Sequence, residues 1–191
     1  MAEVLLFHHA LGLTQGVLAF AGDLRTAGHT VHTPDLYDGN TFPDVGEGVG
    51  YARQVGFETI MERGQRSADA LPPDLIYAGF SLGVLSAQML AQNRPGAKGA
   101  LFMYACMPAE EFGSPWPDIP LQIHGMDADQ SFATEGDLDA ARELVANATR
   151  AELFLYPGNQ HLFADSSTPD YDESAAALLK ERVISFLAAN G

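Results

Sequence analysis

Short strand-like segments recur along the chain at 4–8, 30–33, 75–80, 100–104, 121–124 and 152–156. Helix-like segments fall between them, at 15–27, 48–70, 82–93, 136–147 and 171–189. In the last, Ala175, Leu178, Leu179, Val183, Ile184 and Leu187 recur at helical spacing, so this helix docks by one apolar stripe. Strands alternating with helices predict α/β architecture with a mostly parallel sheet. No fixed-period repeat and no low-complexity linker divides the chain, so residues 1–191 read as one domain. Two stretches read as loops. Residues 35–50 are rich in Gly, Asp and Pro, and 107–120 carry Pro108, Pro115, Pro117 and Pro120, which exclude a continuous helix. Long loops in a compact domain serve as lids or binding walls, or as plain surface connections.

Composition narrows the class. Apolar residues make up 47% and charged residues 18%, the balance of a globular protein. No apolar run approaches the roughly 20 residues that cross a bilayer. The N-terminus lacks a basic segment before its strand-length apolar run, and Cys106 is the only cysteine, so a cytoplasmic protein without disulfides is expected. Net charge is −15, from 25 acids against 10 bases. Such a surface repels phosphate backbones and anionic lipids, which disfavours nucleic-acid and membrane partners.

The chemistry centres on Gly79-Phe80-Ser81-Leu82-Gly83, between an apolar strand and an alanine-rich helix. Alone, G-x-S-x-G is a weak signal; the strand before it and the helix after it give the layout of a nucleophile elbow. The glycines permit a sharp turn that lifts Ser81 to the N-terminus of a helix, where unpaired amides face a developing oxyanion. A serine hydroxyl needs a base and an orienting acid. His161 sits in a Pro- and Gly-flanked loop after the last strand, where an imidazole can lean over the sheet edge. His8, His9 and His124 also end strands and can line the site. For the acid, Asp127 and Asp129 follow the fifth strand two residues apart, and the spacing leaves both open. Metal chemistry finds no H-E-x-x-H, paired cysteines or EF-hand loop, and no G-x-G-x-x-G follows the first strand, so no metal and no cofactor are expected.

The chain resembles the dienelactone hydrolase family of the α/β-hydrolase fold, over nearly its whole length. Four blocks carry the resemblance. Phe7-His8-His9-Ala10-Leu11-Gly12-Leu13 is similar to the family's H-E-x-x-G-L, and Thr33-Pro34-Asp35-Leu36-Tyr37 to its A-P-D-L-Y. The third is the elbow, and the fourth, Tyr156-Pro157-Gly158-Asn159-Gln160-His161-Leu162-Phe163, is close to its Y-P-G-x-x-H-x-F. The resemblance implies a three-layer α/β/α domain with about six parallel strands, lacking the family's N-terminal hairpin, with residues 30–33 at one edge. An exposed edge invites pairing, and a homodimer is expected on that ground. It further implies Ser81 as nucleophile, His161 as base, Asp129 as acid, and an oxyanion hole from the amides of Ala10 and Leu82. Loop position makes His9, Leu11, Tyr37, Phe80, Met126 and Phe163 the expected substrate-binding walls, with Trp116 covering the site or anchoring its loop.

The departures from the family pattern are specific. The family's name-giving members use a cysteine where this chain has Ser81, and a glutamate where it has His9. They also place an arginine that clamps a substrate carboxylate where this chain has Asp165, which predicts repulsion of such substrates. The family's second glycine after the nucleophile is Val84 here. These readings together predict a serine hydrolase of small carboxylic esters or lactones. A thioesterase or lysophospholipase-like carboxylesterase is the closest rival, and a non-catalytic ligand-binding protein of the same fold is the alternative from another class.

Overall fold

Six short strands pair side by side, all in parallel. They are β1 (Glu3–Phe7), β2 (Thr30–His32), β3 (Ile76–Phe80), β4 (Gly99–Met103), β5 (Leu121–Met126) and β6 (Ala151–Tyr156), in the spatial order β2-β1-β3-β4-β5-β6. This is a computed structural model, and it describes residues 1–113 and 115–191; Ser114, within the proline-rich stretch, lies outside the described residues. The helices are α1 (Gln15–Thr26), α2 (Val45–Val55), α3 (Phe57–Asp69), α4 (Gly83–Asn93), α5 (Gln130–Thr134), α6 (Asp137–Asn147) and α7 (Glu173–Asn190).

Alternate strand residues feed two apolar layers. Val4, Leu6, Ile76, Ala78, Leu101 and Met103 pack with Val17, Phe20 and Leu24 of α1 and with Leu179, Val183 and Leu187 of α7. Leu5, Phe7, Tyr77, Ala100, Phe102 and Ile123 pack with Ile60 of α3, Val84, Ala87 and Leu90 of α4, and Leu138, Ala141 and Leu144 of α6. Helices on both faces give the expected three-layer α/β/α sandwich. Among the described residues, no helix is long and apolar enough to cross a membrane.

The helices differ from expectation in two places. The single helix expected over 48–70 is two helices, broken at Gly56, whose φ of +94° is open to glycine and costly for other residues. The first of them starts earlier than the pattern indicated, because the Asp44 side chain accepts from the Glu47 amide and caps it. The second difference is α5, which was not foreseen: it begins where the Asp129 carboxylate accepts from the Ser131 amide at 3.0 Å.

Because every strand runs the same way, all six C-terminal ends open onto one edge of the sheet. The segments carrying His8 to Leu11, Ser81, Tyr104, Asp129 and His161 all leave the sheet at that edge. This is where open α/β sheets place their sites.

Candidate active site

Ser81 follows β3 directly and holds a φ of +47°, a left-handed conformation that a non-glycine residue adopts at a cost. The turn is fixed on both sides. The Ser81 amide donates to the Met103 carbonyl at 2.7 Å, and its own carbonyl accepts from Val84 at 2.8 Å. Gly79 and Gly83 are required by close approach: a Cβ on Gly83 would stand 2.5 Å from the Phe7 carbonyl oxygen. That contact brings the first turn of α4 directly onto the end of β1. Ser81 is half-buried, at the N-terminal end of α4.

The Ser81 hydroxyl lies 2.8 Å from His161 Nε2, and His161 Nδ1 lies 2.6 Å from Asp129 Oδ2. Asp129 is 2% exposed, while His161 is partly open to solvent. The other carboxylate oxygen of Asp129 is held by the Ser131 amide, so the helix cap of α5 also aims the acid. Asp127 is exposed and accepts from the Gly158 amide at 3.1 Å. The spacing had left the two acids open; the fold brings only Asp129 to the imidazole.

Beneath the imidazole lies Tyr104, which the sequence reading did not single out. Its ring centroid is 5.8 Å from that of His161 and 5.0 Å from that of Phe163, and it stacks on Phe80. Its hydroxyl accepts from the Ala164 amide at 2.9 Å, tying the histidine loop to the end of β4. Burial raises its phenol pKa well above the ordinary value, so it stays neutral. Like Ser81, Tyr104 has a positive φ, of +72°.

The loop after β1 is bracketed by its two histidines. His8 Nδ1–H donates to the His9 carbonyl at 2.8 Å, and His8 Nε2 accepts from the Leu36 amide at 3.0 Å. Burial lowers the His8 pKa to about 4, which keeps the ring neutral and both bonds in place. The Gly12 amide also donates to the His9 carbonyl, at 3.0 Å. Ala10, buried between these bonds, lies against Gly48, where a Cβ would strike the Ala10 carbonyl oxygen.

Leu11, Tyr37, Phe80, Met126 and Phe163 are all buried, Leu11 the most open at 4% exposure, and they belong to the apolar layers. Phe80 and Met126 end strands β3 and β5, and all five pack into the layers that flank the sheet. Tyr37 is engaged elsewhere, donating to the Gly48 carbonyl. His9 is buried and turned to Asp165. Asp165 was expected to face a substrate carboxylate, but it is buried and accepts from His9, Thr14 and Ser167. Burial alone would raise its pKa; those bonds outweigh it and lower the carboxyl to about 2. Trp116 anchors its loop: its indole N–H donates to the Ile119 carbonyl and its ring packs edge-on against Phe102. It lines a groove of about 510 Å³ against α6 that includes none of Ser81, Asp129 and His161.

One further carboxylate belongs to the neighbourhood. Asp137, at the start of α6, accepts from the Cys106 amide at 3.3 Å. Burial pushes its pKa up to about 6, against the pull of that bond and of the His161 charge. Among the described residues, no cluster of three or more His, Cys, Asp or Glu side chains is arranged to hold a metal ion.

With this geometry established, comparison with known proteins gives the family. The sequence pattern of the Dienelactone hydrolase family matches residues 1–190. The chain belongs to the dienelactone hydrolase family. Its fold is that of the α/β hydrolases. A curated relative is the pimeloyl-[acyl-carrier protein] methyl ester esterase of Cronobacter sakazakii, 30% identical over 115 residues. That match covers 60% of this chain but only 40% of the relative. The dienelactone hydrolase-like promiscuous phosphotriesterase P91, from metagenomic libraries, superposes with a TM-score of 0.81 at 14% identity, over 100% of this chain and 87% of that one. Est1E of Butyrivibrio proteoclasticus, solved with ferulic acid bound, gives 0.70 at 16% identity, over 100% and 89%. At such identities, these structures speak for the fold alone.

Proposed function

We propose that this member of the family is a serine hydrolase that cleaves small carboxylic esters or lactones through an acyl-enzyme. One observation carries the reading: a hydroxyl, an imidazole and a buried carboxylate stand in hydrogen-bonded sequence, at 2.8 and 2.6 Å, at the N-terminus of α4. In this reading His161 Nε2 takes the proton of Ser81 as Oγ attacks the substrate carbonyl. Asp129 holds the imidazole in the tautomer that leaves Nε2 free, and then stabilises the imidazolium without accepting the proton. The amides of Ala10 and Leu82 are assigned to the oxyanion, and neither spends its proton on a bond within the described backbone network. His161 next protonates the leaving oxygen, or the ring oxygen in a lactone, and activates water to release the acid from Ser81.

No step of this sequence calls on a cofactor. The net charge of −15 and the Asp137 carboxylate near His161 favour neutral or cationic substrates over anionic ones. The similarity to a methyl ester esterase supports the oxygen-ester class over thioesters. The test is direct detection of the intermediate. A slowly deacylating aryl ester should add one acyl mass to the intact protein, mapped to the peptide bearing Ser81. Turnover without such an adduct, at any quench time, would point to direct attack by water and overturn the acyl-enzyme.

A further inference from the structure

His9 and Asp165 lie 156 positions apart in the chain and meet inside it, at 1% and 3% exposure. His9 Nε2 stands 2.7 Å from Asp165 Oδ2. At the other side of the ring, the Leu11 amide donates to His9 Nδ1 at 3.3 Å. A carboxylate accepts and an amide donates, so the ring is held as the Nε2–H tautomer, with both nitrogens spent. No lone pair is left over for the chemistry at Ser81. His9 therefore does not serve as a second base.

Apart from the bond to Asp165, the bonds of His9 act on the short loop after β1. The ring takes the Leu11 amide, the His9 carbonyl takes the Gly12 amide, and His8 braces that same carbonyl from behind. The Ala10 amide, between these bonded groups, donates to no acceptor in the described backbone network. Asp165 is fixed in turn: Thr14 donates to Oδ2 at 2.5 Å, while the amide and hydroxyl of Ser167 donate to Oδ1 at 2.7 and 2.6 Å. It follows His161 by four positions in a loop pinned by Tyr104 through Ala164. One buried ion-pair-like contact thus spans the loop that carries the base and the loop that carries an oxyanion donor.

We propose that His9 and Asp165 are positioning residues that set the Ala10 amide for the oxyanion and hold it in register with His161. The inference rests on the serine-hydrolase reading above. A displaced oxyanion donor costs transition-state binding and leaves ground-state binding nearly alone.

The test compares wild type with His9→Phe, which keeps a ring and removes both nitrogens, on a p-nitrophenyl ester. Expected is a fall in kcat of about 100-fold with KM changed less than about threefold. Affinity for a trifluoromethyl ketone, which forms the tetrahedral oxyanion on serine, should fall in parallel with kcat. A folded variant with kcat within threefold of wild type, or with the loss confined to KM, would overturn the proposal. A second measurement needs no variant: ¹⁵N NMR of the wild-type histidines at pH 8 should show His9 protonated at Nε2 and bare at Nδ1. The opposite tautomer would overturn it even if His9→Phe fails to fold. The two readings fail separately. A wild type without ester turnover removes the serine-hydrolase reading, whereas the tautomer reports on the clamp alone.

Discussion

His161 Nδ1 lies 2.6 Å from Asp129 Oδ2, while Asp127, two residues earlier, turns outward to the Gly158 amide. The difference follows from α5: Asp129 is its N-cap, and the capping bond leaves one carboxylate oxygen for the imidazole. The substitution Asp129→Asn should lower kcat by about 10⁴-fold, since an amide there favours the wrong imidazole tautomer. Asp127→Asn should leave kcat within about twofold. Steady-state kinetics of both variants on one ester checks the assignment, and a reversed order contradicts it.

Acid should destabilise the fold through two buried histidines. Burial lowers His8 to about 4 and His124 to about 3, whereas the unfolded chain titrates near 6.5. Between those values the unfolded state binds protons that the folded state refuses, so stability falls as pH drops from about 6.5. Each ring contributes roughly 1.4 kcal/mol per pH unit inside its window. Asp165 acts later: its stabilisation is present above its unfolded value near 3.8 and is lost as pH falls toward about 2. Urea melts at pH 7, 6 and 5 should show the midpoint falling, and His8→Asn should flatten that dependence.

Gly83 packs α4 onto β1 so tightly that an added Cβ would meet the Phe7 carbonyl oxygen at 2.5 Å and the His8 carbonyl oxygen at 2.7 Å. Both obstacles are backbone and cannot rotate away. Gly83→Ala should destabilise the protein by about 1–3 kcal/mol and reduce activity by moving Ser81. Gly28→Ala, where nothing lies within 4 Å but φ is +93°, should cost about 1 kcal/mol and spare activity. Thermal melts and ester turnover separate the two.

Tyr104→Phe keeps the ring under His161 and removes the acceptor for the Ala164 amide. A stability loss of about 1–2 kcal/mol is expected, because a buried amide is left unpaired. Activity should fall less than tenfold, since Asp129 still aims the imidazole.

Much of this was legible in the chain before folding. The apolar run 75–80 marked a buried strand, and the elbow glycines after it fixed where the serine would stand. The break at Gly56 was signalled only by the glycine itself, which a helical pattern tolerates unless φ turns positive. Asp129 carried two meanings, cap and acid, and the spacing to Asp127 hid both. The expected substrate walls are a different case. Whether Tyr37 or Phe163 faces a ligand or the core depends on how loops fold onto the sheet, and loop residues of either kind are aromatic and apolar. The pairing of His9 with Asp165 joins residues 156 positions apart, and no local pattern carries that information.

The proposed chemistry requires an activated Ser81. A fluorophosphonate probe, applied to wild type and to Ser81→Ala with p-nitrophenyl acetate turnover followed alongside, tests it most directly. One label per wild-type chain is expected, at Ser81, with loss of both labelling and turnover in the variant. Ester turnover that survives in Ser81→Ala at the wild-type rate, or a label carried by another residue, would contradict it.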